Sequence, residues 1–501
     1  MRHFSATAIG AISASLFCAT AGSAEVTAAE VWESWQTMSA RFGHSVTGTE
    51  SVSGDTLTVS DVIVSAELPE ATLRGDLDTV AFRENADGTV TVTMSPEYTL
   101  SVTSGPAATE KVDMTMRLKQ SGVEMVVSSD EDALSYALSA TEMRLETAEM
   151  VVEGEPVDMD MGVVLSGLTG TYLFPQGGIG PIAAEGTADA VHLAMTGTDP
   201  ENAGKVEMSY DVSDLSFNSV TRMVAGVDSS DVNAMLQAGF SAEGRFGYGA
   251  TSFSMSGDGP GEQFQASGQA QSGSASFAMN KDSLSYSASQ RGFEIALSGS
   301  EIPFPQVTAQ MAEMDIAVTM PVSKSDTPQD FALLTSLKGL SVGNEIWSLF
   351  DPAGMIPRDP MNLVVNLTGT GKWMVDIMDP AMAETLEAQA GELNSLTLKD
   401  LELSFAGASL TGQGAFTFDN TDLESFDGMP APSGQANFML TGGNKLLDTL
   451  VNMGLMPEDQ AQSLRMMTGM FARPGEGEDT LVSDIVITDD RRVMVNGMQM
   501  K

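Results

Sequence analysis

The seven residues Val112-Asp113-Met114-Thr115-Met116-Arg117-Leu118 decide the class of this chain. Apolar and polar side chains alternate one by one, so an extended strand puts Val112, Met114, Met116 and Leu118 on one face and the polar residues on the other. A helix would scatter them. The same period returns at Phe253 and Met255, at Phe277 and Met279, at Leu284 and Tyr286, and at Phe293, Ile295 and Leu297. It continues at Met314, Ile316, Val318 and Met320, at Leu396 and Leu398, at Leu401, Leu403 and Phe405, and at Phe416 and Phe418. The chain therefore reads as mainly β, of the α+β type.

Turn signals between these runs, Ala86-Asp87-Gly88, Ser256-Gly257-Asp258-Gly259 and Ser272-Gly273, predict hairpins joining strands that are neighbours in sequence. In SFSMSG (252–257) and SGSASFAMN (272–280) the alternate positions are mostly Ser or other small residues, so one face meets water. The expectation is a long curved antiparallel meander. So many strands must close, stack or curl, and a curled half-barrel would leave a continuous concave apolar face. Met114, Met116, Phe277, Met279, Met314, Ile316, Phe416 and Phe418 are the candidate lining of such a groove.

Helices are few. Thr27 and Glu30 have capping-box spacing, and Val31, Trp35, Met38 and Phe42 fall on one helical face, predicting an amphipathic opening helix. Further helices are predicted near Asp231–Phe240, Asp330–Leu340, Ala381–Leu393 and Lys445–Phe471, the last broken at Gly454–Pro457. In NEIWSLFDPAGMIPRDP (344–360) a short helix with Ile346, Trp347 and Phe350 on its apolar side is stopped by Pro352. Pro357 and Pro360 then keep the chain extended before a strand at Leu363–Leu367, and Arg358 is placed to pair with Asp351 across the turn. No strict repeat of fixed length stands out. The organisation expected is a signal at 1–24, an N-terminal β-rich lobe with the opening helix at 25–340, and a C-terminal β-rich lobe at 341–501 carrying the helical segment 445–471.

The first residues, MRHFSATAIGAISASLFCATAGSA, combine Arg2 and His3 with a short apolar stretch and small residues, which predicts a secretory signal cleaved after Ala24, with Ala21 as the alternative point. The placement expected is periplasmic, with an extracellular one as the alternative. Phe17 before Cys18 fits lipid attachment poorly. Beyond Cys18 there is no cysteine, so disulfides, thiolate metal sites and thiol nucleophiles are excluded. No later apolar run approaches the roughly 18 residues of a membrane-spanning helix. A net charge of -44 repels phosphate backbones, which excludes nucleic acid as a partner.

Chemistry-bearing motifs are scarce. There is no GxSxG elbow, SxxK pair, HExxH or phosphate loop, and Gly369-Thr370-Gly371-Lys372-Trp373 reads as the end of a strand. His44 and His192 have no motif company. Asp158 and Asp160 share a strand face with no calcium-loop spacing around them. The 34 methionines pair up at Met114/Met116, Met159/Met161 and Met498/Met500. Thioethers suit Cu(I), but adaptable filler for a curved apolar surface accounts for the same pattern. Neither a cofactor nor a metal is expected, nor is catalysis.

A resemblance adds to this. IWSLFDPAGMIPRDP with MNLVVNLTGTGKW after it, GASLTGQGAFTFD (407–419), SGQANFMLTGGNKLLDTLVNMGLMP (433–457) and the closing LVSDIVITDDRRVMVNGMQM resemble an uncharacterised family of Gram-negative envelope proteins. The likeness is best over about 330–501, and Asp490-Arg491 departs from it where a glycine-bearing turn is usual. It implies an exported β-rich architecture and no catalytic residues. The G-x-G-x-Phe-x-Phe strands are similar, more distantly, to AsmA-like and TamB-like proteins, which implies a curled sheet with an apolar groove and a link to lipid transport. The function expected is binding of lipid or another apolar ligand in envelope homeostasis. A non-enzymatic structural or assembly factor engaging envelope proteins is the alternative, with a carboxylate-based hydrolase behind both.

Overall fold

The computed structural model describes residues 25–501 except 42, 69, 106, 110, 131–132, 177–179, 199–203, 229–230 and 380–390. The predicted signal lies outside them. Within them the chain is a single long meander in which each full-length strand hydrogen-bonds antiparallel to the rung before it and the rung after. His44–Ser53 forms one margin, paired with Thr56–Glu67 alone, and the short strands Val493–Val495 and Met498–Gln499 form the other. The sheet is not a closed barrel. Much of both faces stays open, with Phe217, Phe246, Tyr286 and Leu403 each 41–44% exposed.

Two stretches share one topology. In the first unit the long strand Ala71–Glu84 pairs at its C-terminal half with Val90–Met94 and at its N-terminal half with Glu97–Ser104. Val112–Ser121 and Glu124–Asp130 then pair with those half-length strands, and the long strand Ala133–Val152 closes over both. The second unit repeats this pattern. Lys205–Arg222 pairs with Ser241–Tyr248 and Thr251–Gly259, Glu262–Ala270 and Ser272–Met279 follow, and Ser283–Gly299 closes over them. Met159–Pro175 and Pro181–Thr198 bridge the units. Beyond them run Val307–Pro321, Gln329–Val342, Met361–Trp373, Gly391–Phe405, Ala408–Asp419, Ala431–Thr441 and Thr480–Ile487.

A crease crosses this sheet. Along Lys205–Arg222 the apolar residues run Met208, Tyr210, Val212, then Leu215, Phe217, a slip of one position at Ser213-Asp214. Along Ser283–Gly299 they run Leu284, Tyr286, Ala288, then Phe293, Ile295, Leu297, slipping at Arg291-Gly292. The neighbouring Val307–Pro321 slips at Ala312-Glu313, opposite, so the ladder keeps its register. Every second or third rung carries a left-handed residue there: Asp61, Gly122, Gly167, Asp214, Gly292 and Gly339, with φ between 52° and 71°. Such a residue turns the strand by one side-chain position and bends it, keeping the apolar set on one face. Glycine suits position 292, where φ is left-handed and a Cβ would lie 2.5 Å from the Gln271 side chain, which would have to shift.

The helices are α1 (Ala28–Arg41), α2 (Val232–Gln237), α3 (Asn344–Ser348), α4 (Gly443–Asn452) and α5 (Glu458–Phe471). The capping box forms: the Thr27 amide donates to the Glu30 carboxylate at 2.8 Å and the Glu30 amide to Thr27 Oγ1 at 3.3 Å. α1 lays Val31, Trp32 and Trp35 on Leu57, Val59, Val80, Phe82, Val90, Val92 and Tyr136, which makes the main core. A smaller core joins Trp347 of α3, Ile356 and Ala406 to Leu446 and Leu450 of α4.

Four expectations are corrected. Asp330–Leu340 is strand, because Phe331, Leu333, Thr335 and Leu337 alternate between two paired neighbours and tertiary pairing overrides helical propensity. Residues 391–393 open a strand, and 381–390 lie outside the described residues. Ser256-Gly257-Asp258-Gly259 ends a strand and the turn falls on Pro260-Gly261, while Ser272-Gly273 begins one. Finally, Arg358 reaches the Asp351 carbonyl oxygen at 3.5 Å and the Asn344 side chain, not the Asp351 carboxylate. That carboxylate, fully buried, accepts from the Met355 and Ile356 amides at 2.8 and 2.9 Å.

Candidate functional site

Cross-strand register decides which side chains share a face, because directly paired residues point the same way. One row runs Phe217, Phe246, Ala275, Ala288, Ile316. The next runs Phe277, Tyr286, Val318, Leu333, Leu367, Leu398. Met279, Leu284 and Met320 make a third, and Met314 with Leu337, Leu363, Leu403 and Leu410 a fourth. Phe416 opposite Leu396, and Phe418 two residues on, lie on this face too. The opposite face is a ladder of hydroxyls: Ser274 meets Ser289 at 2.8 Å, Ser276 meets Ser287 at 2.7 Å and Ser285 donates to Thr319 at 3.1 Å.

Six of the eight groove candidates therefore share an apolar surface without converging in a pocket. Met114 and Met116 sit far across the sheet, opposite Val102 and Leu100. Much of the surface has nothing over it: Phe217, Phe246, Phe277, Tyr286, Ile316 and Leu333 are each 36–44% exposed.

A markedly apolar hollow lies beside α1. A cavity of about 410 Å³ is lined by Trp35 and Met38 of α1 and by Val64, Leu77, Leu138, Tyr172 and Phe217 among the strand residues. Its volume falls in the range of small-molecule sites, roughly 300–1,000 Å³. Of the eight candidates none lines it. Its residues carry the same alternation, visible at Leu134, Tyr136 and Leu138, so the sequence signal existed and lacked only the position of α1. Tyr136 at its edge accepts or donates a 2.7 Å bond with Ser34 of α1, and burial pushes its hydroxyl up to about 12.

The hydroxyl face has its own hollow, about 670 Å³, lined by Ser209, Asp211, Ser252, Ser254, Gln269 and Glu294 among others. His192 sits nearby in its strand, its Nδ1 2.7 Å from Asp211, while His44 opens the edge strand. Asp158, just before its strand, accepts from the Thr198 hydroxyl at 3.1 Å. Among the described residues no group of three or more His, Cys, Asp or Glu could hold a metal ion. Among the described residues the carboxylates with a resolved pKa shift, Asp87, Glu146, Asp351, Asp419, Asp422, Asp484 and Asp490, are all shifted down, as hydrogen-bond donors and cations do to a carboxylate.

The closing turn explains the departure noted at Asp490-Arg491. Arg491 takes the left-handed conformation at φ 67° and its guanidinium clasps Asp419 at 2.6 Å and Asp422 at 2.8 Å. A family model described as an uncharacterized protein conserved in bacteria (DUF2125) matches residues 248–499, just over half of the chain. The chain belongs to the DUF2125 family. The DUF2125 match begins within the second six-strand unit, well before the segments in which the likeness was first legible. No curated protein and no solved structure matches the chain. No helix among the described residues is long and apolar enough to cross a membrane.

Proposed function

We propose that this DUF2125 chain is an exported, non-enzymatic envelope protein that shelters acyl chains, or an apolar ligand of similar shape, in the hollow beside α1. The observation that carries this reading is the lining of that hollow, almost all carbon, opening onto an apolar face that no element among the described residues covers. An acyl chain leaving water there gains about 0.8 kcal/mol for each methylene buried. The acidic chain offers few cations to hold an anionic headgroup, so the headgroup stays in solvent. The distant likeness to AsmA-like and TamB-like proteins points the same way. A pair of carboxylates one of which is held protonated would have favoured a hydrolase, and the downward shifts run against it.

Native mass spectrometry with lipid extraction, on the chain from Glu25 purified from the periplasm without detergent, tests this. Near-stoichiometric phospholipid or fatty acid is expected, and Leu138→Trp, which fills the hollow, should remove it. A clean apo mass with no uptake from added phosphatidylethanolamine vesicles overturns the reading and leaves the structural or assembly role in its place.

A further inference from the structure

The two six-strand units agree in more than topology. In the first, Val127 pairs with Tyr136, and in the second Phe277 pairs with Tyr286. The row Phe82, Val92, Met125, Leu138 of the first corresponds to Phe217, Phe246, Ala275, Ala288 of the second. Sequence keeps a trace of the correspondence: ALSYALSA at 133–140 stands where SLSYSASQ stands at 283–290. Phe82 thus answers to Phe217, and Tyr136 to Tyr286.

In the first unit these two residues are what α1 grips. The Trp35 ring meets Phe82 edge-on at 5.2 Å, Trp32 lies 5.9 Å from it, and Ser34 bonds the Tyr136 hydroxyl. Phe82 is 0% exposed and Tyr136 5%. In the second unit the same residue types at the same places are 44% and 43% exposed. Phe246 and Phe277 beside them are also open.

We propose that this bare face of the second unit seats an amphipathic α-helix supplied by a partner protein. The first unit is the template for the occupant: a helix with two bulky aromatic residues one turn apart and a hydroxyl between them, as in Trp32, Ser34 and Trp35. A helix supplies what an acyl chain lacks, a polar group for the Tyr286 hydroxyl. A second copy of the chain is poorly suited, because its α1 already lies on its own first unit. With a net charge of -44 on this chain, a partner whose outer helix face is basic associates faster. The seat adjoins the hollow beside α1 and shares Phe217 with it, while Phe246, Phe277 and Tyr286 lie outside that hollow.

The test uses the full chain from Glu25 and a fluorescent synthetic peptide of α1's own sequence, Val26–Arg41, as surrogate helix, with a benzophenone amino acid replacing Trp35 in a second version. Saturable one-to-one binding by anisotropy is expected, with crosslinks to the strands between 205 and 299. Phe246→Glu, at an exposed position, should weaken binding at least tenfold with unchanged circular dichroism and melting, and Tyr286→Phe several-fold. Absence of saturable binding, crosslinks confined to strands of the first unit, or full affinity in Phe246→Glu overturns the proposal. So does a concentration-dependent dimer that Phe246→Glu abolishes, which would make a second copy the occupant. Lipid content of the same preparations is read separately by mass spectrometry, so loss of the acyl-chain reading leaves this result standing.

Discussion

The first and second units are one scaffold used in two ways. In the first, a helix turns an apolar sheet face into a core; in the second, the corresponding face is left to solvent. Strand pairing follows the same pattern in both and is more extensive in the second, so a lack of hydrogen bonds is not what leaves its face open. The difference teaches that alternation builds the sheet, while burial depends on whether a separate element lies on it. Energetically the second unit is held by its ladders and by half-buried side chains, and the first by these plus the removal of Phe82 and its neighbours from water.

The largest effect follows from that contrast. Phe82→Ala should cost about 3–5 kcal/mol, since it removes a fully buried ring and leaves a cavity under Trp32 and Trp35. Phe217→Ala, at the corresponding place, should cost less than about 1.5 kcal/mol, because its ring is nearly half in water already. Urea unfolding of the two variants measures the difference. Equal losses would mean that the second face is covered in solution. A smaller step separates the crease from the rest of the second unit. Gly292→Ala forces a left-handed alanine against Gln271, at a cost of about 1–2 kcal/mol. Gly257→Ala, where an added Cβ meets nothing within 4 Å, should be neutral or slightly stabilising.

How far could these contrasts be read from sequence? The strands could be, and so could the crease, since Leu284/Tyr286 and Phe293/Ile295/Leu297 fall in opposite phase across Gly292. The shared face of Phe277, Met279, Met314 and Ile316 follows from alternation alone. The repetition of the unit was not legible. Only a short echo around Leu134-Ser135-Tyr136 and Leu284-Ser285-Tyr286 survives, and the spacing from Phe82 to Phe217 differs from that between the tyrosines. Nor was the hollow, because its walls come from α1 and from strands that are distant in sequence. In Asp330–Leu340 the apolar residues satisfy both periods, and only the neighbours on either side settle the strand.

A smaller effect again lies in one hydroxyl. Ser34→Ala removes the 2.7 Å bond to Tyr136 and should cost about 1 kcal/mol in urea unfolding. Tyr286→Phe should change stability by less than about 0.5 kcal/mol, because its hydroxyl has no partner among the described residues. A loss in Tyr286→Phe as large as in Ser34→Ala would mean that the second tyrosine is engaged after all.

The smallest effect at neutral pH appears only on acidification, and it extends the comparison to the C-terminal strands. Asp351, Asp419, Asp422, Asp484 and Asp490 are all held below the usual carboxylate range. For Asp422 the value is about 2, set first by the Ser425 amide and hydroxyl and then by Arg491. Buried Asp351 is lowered against its own desolvation by the Ile356 and Met355 amides and by the charge of Arg358. In the first unit Asp87 and Glu146 are lowered in the same direction. A folded-state pKa below the unfolded one means stability that is complete above about pH 4 and disappears as pH falls toward 2. Acid should therefore loosen the segment 351–490 before the α1 core, which rests chiefly on apolar packing around Phe82 although Glu30, Glu50 and Glu84 also accept hydrogen bonds from α1 and its cap. Peptic digestion at stepwise lower pH, mapped by mass, should find first cuts in that segment, and Arg491→Gln should bring them on at higher pH by releasing Asp419 and Asp422. First cuts between 71 and 152 would show instead that the covered unit is the weaker of the two regions, and that a buried aromatic core under a single helix does not protect its strands.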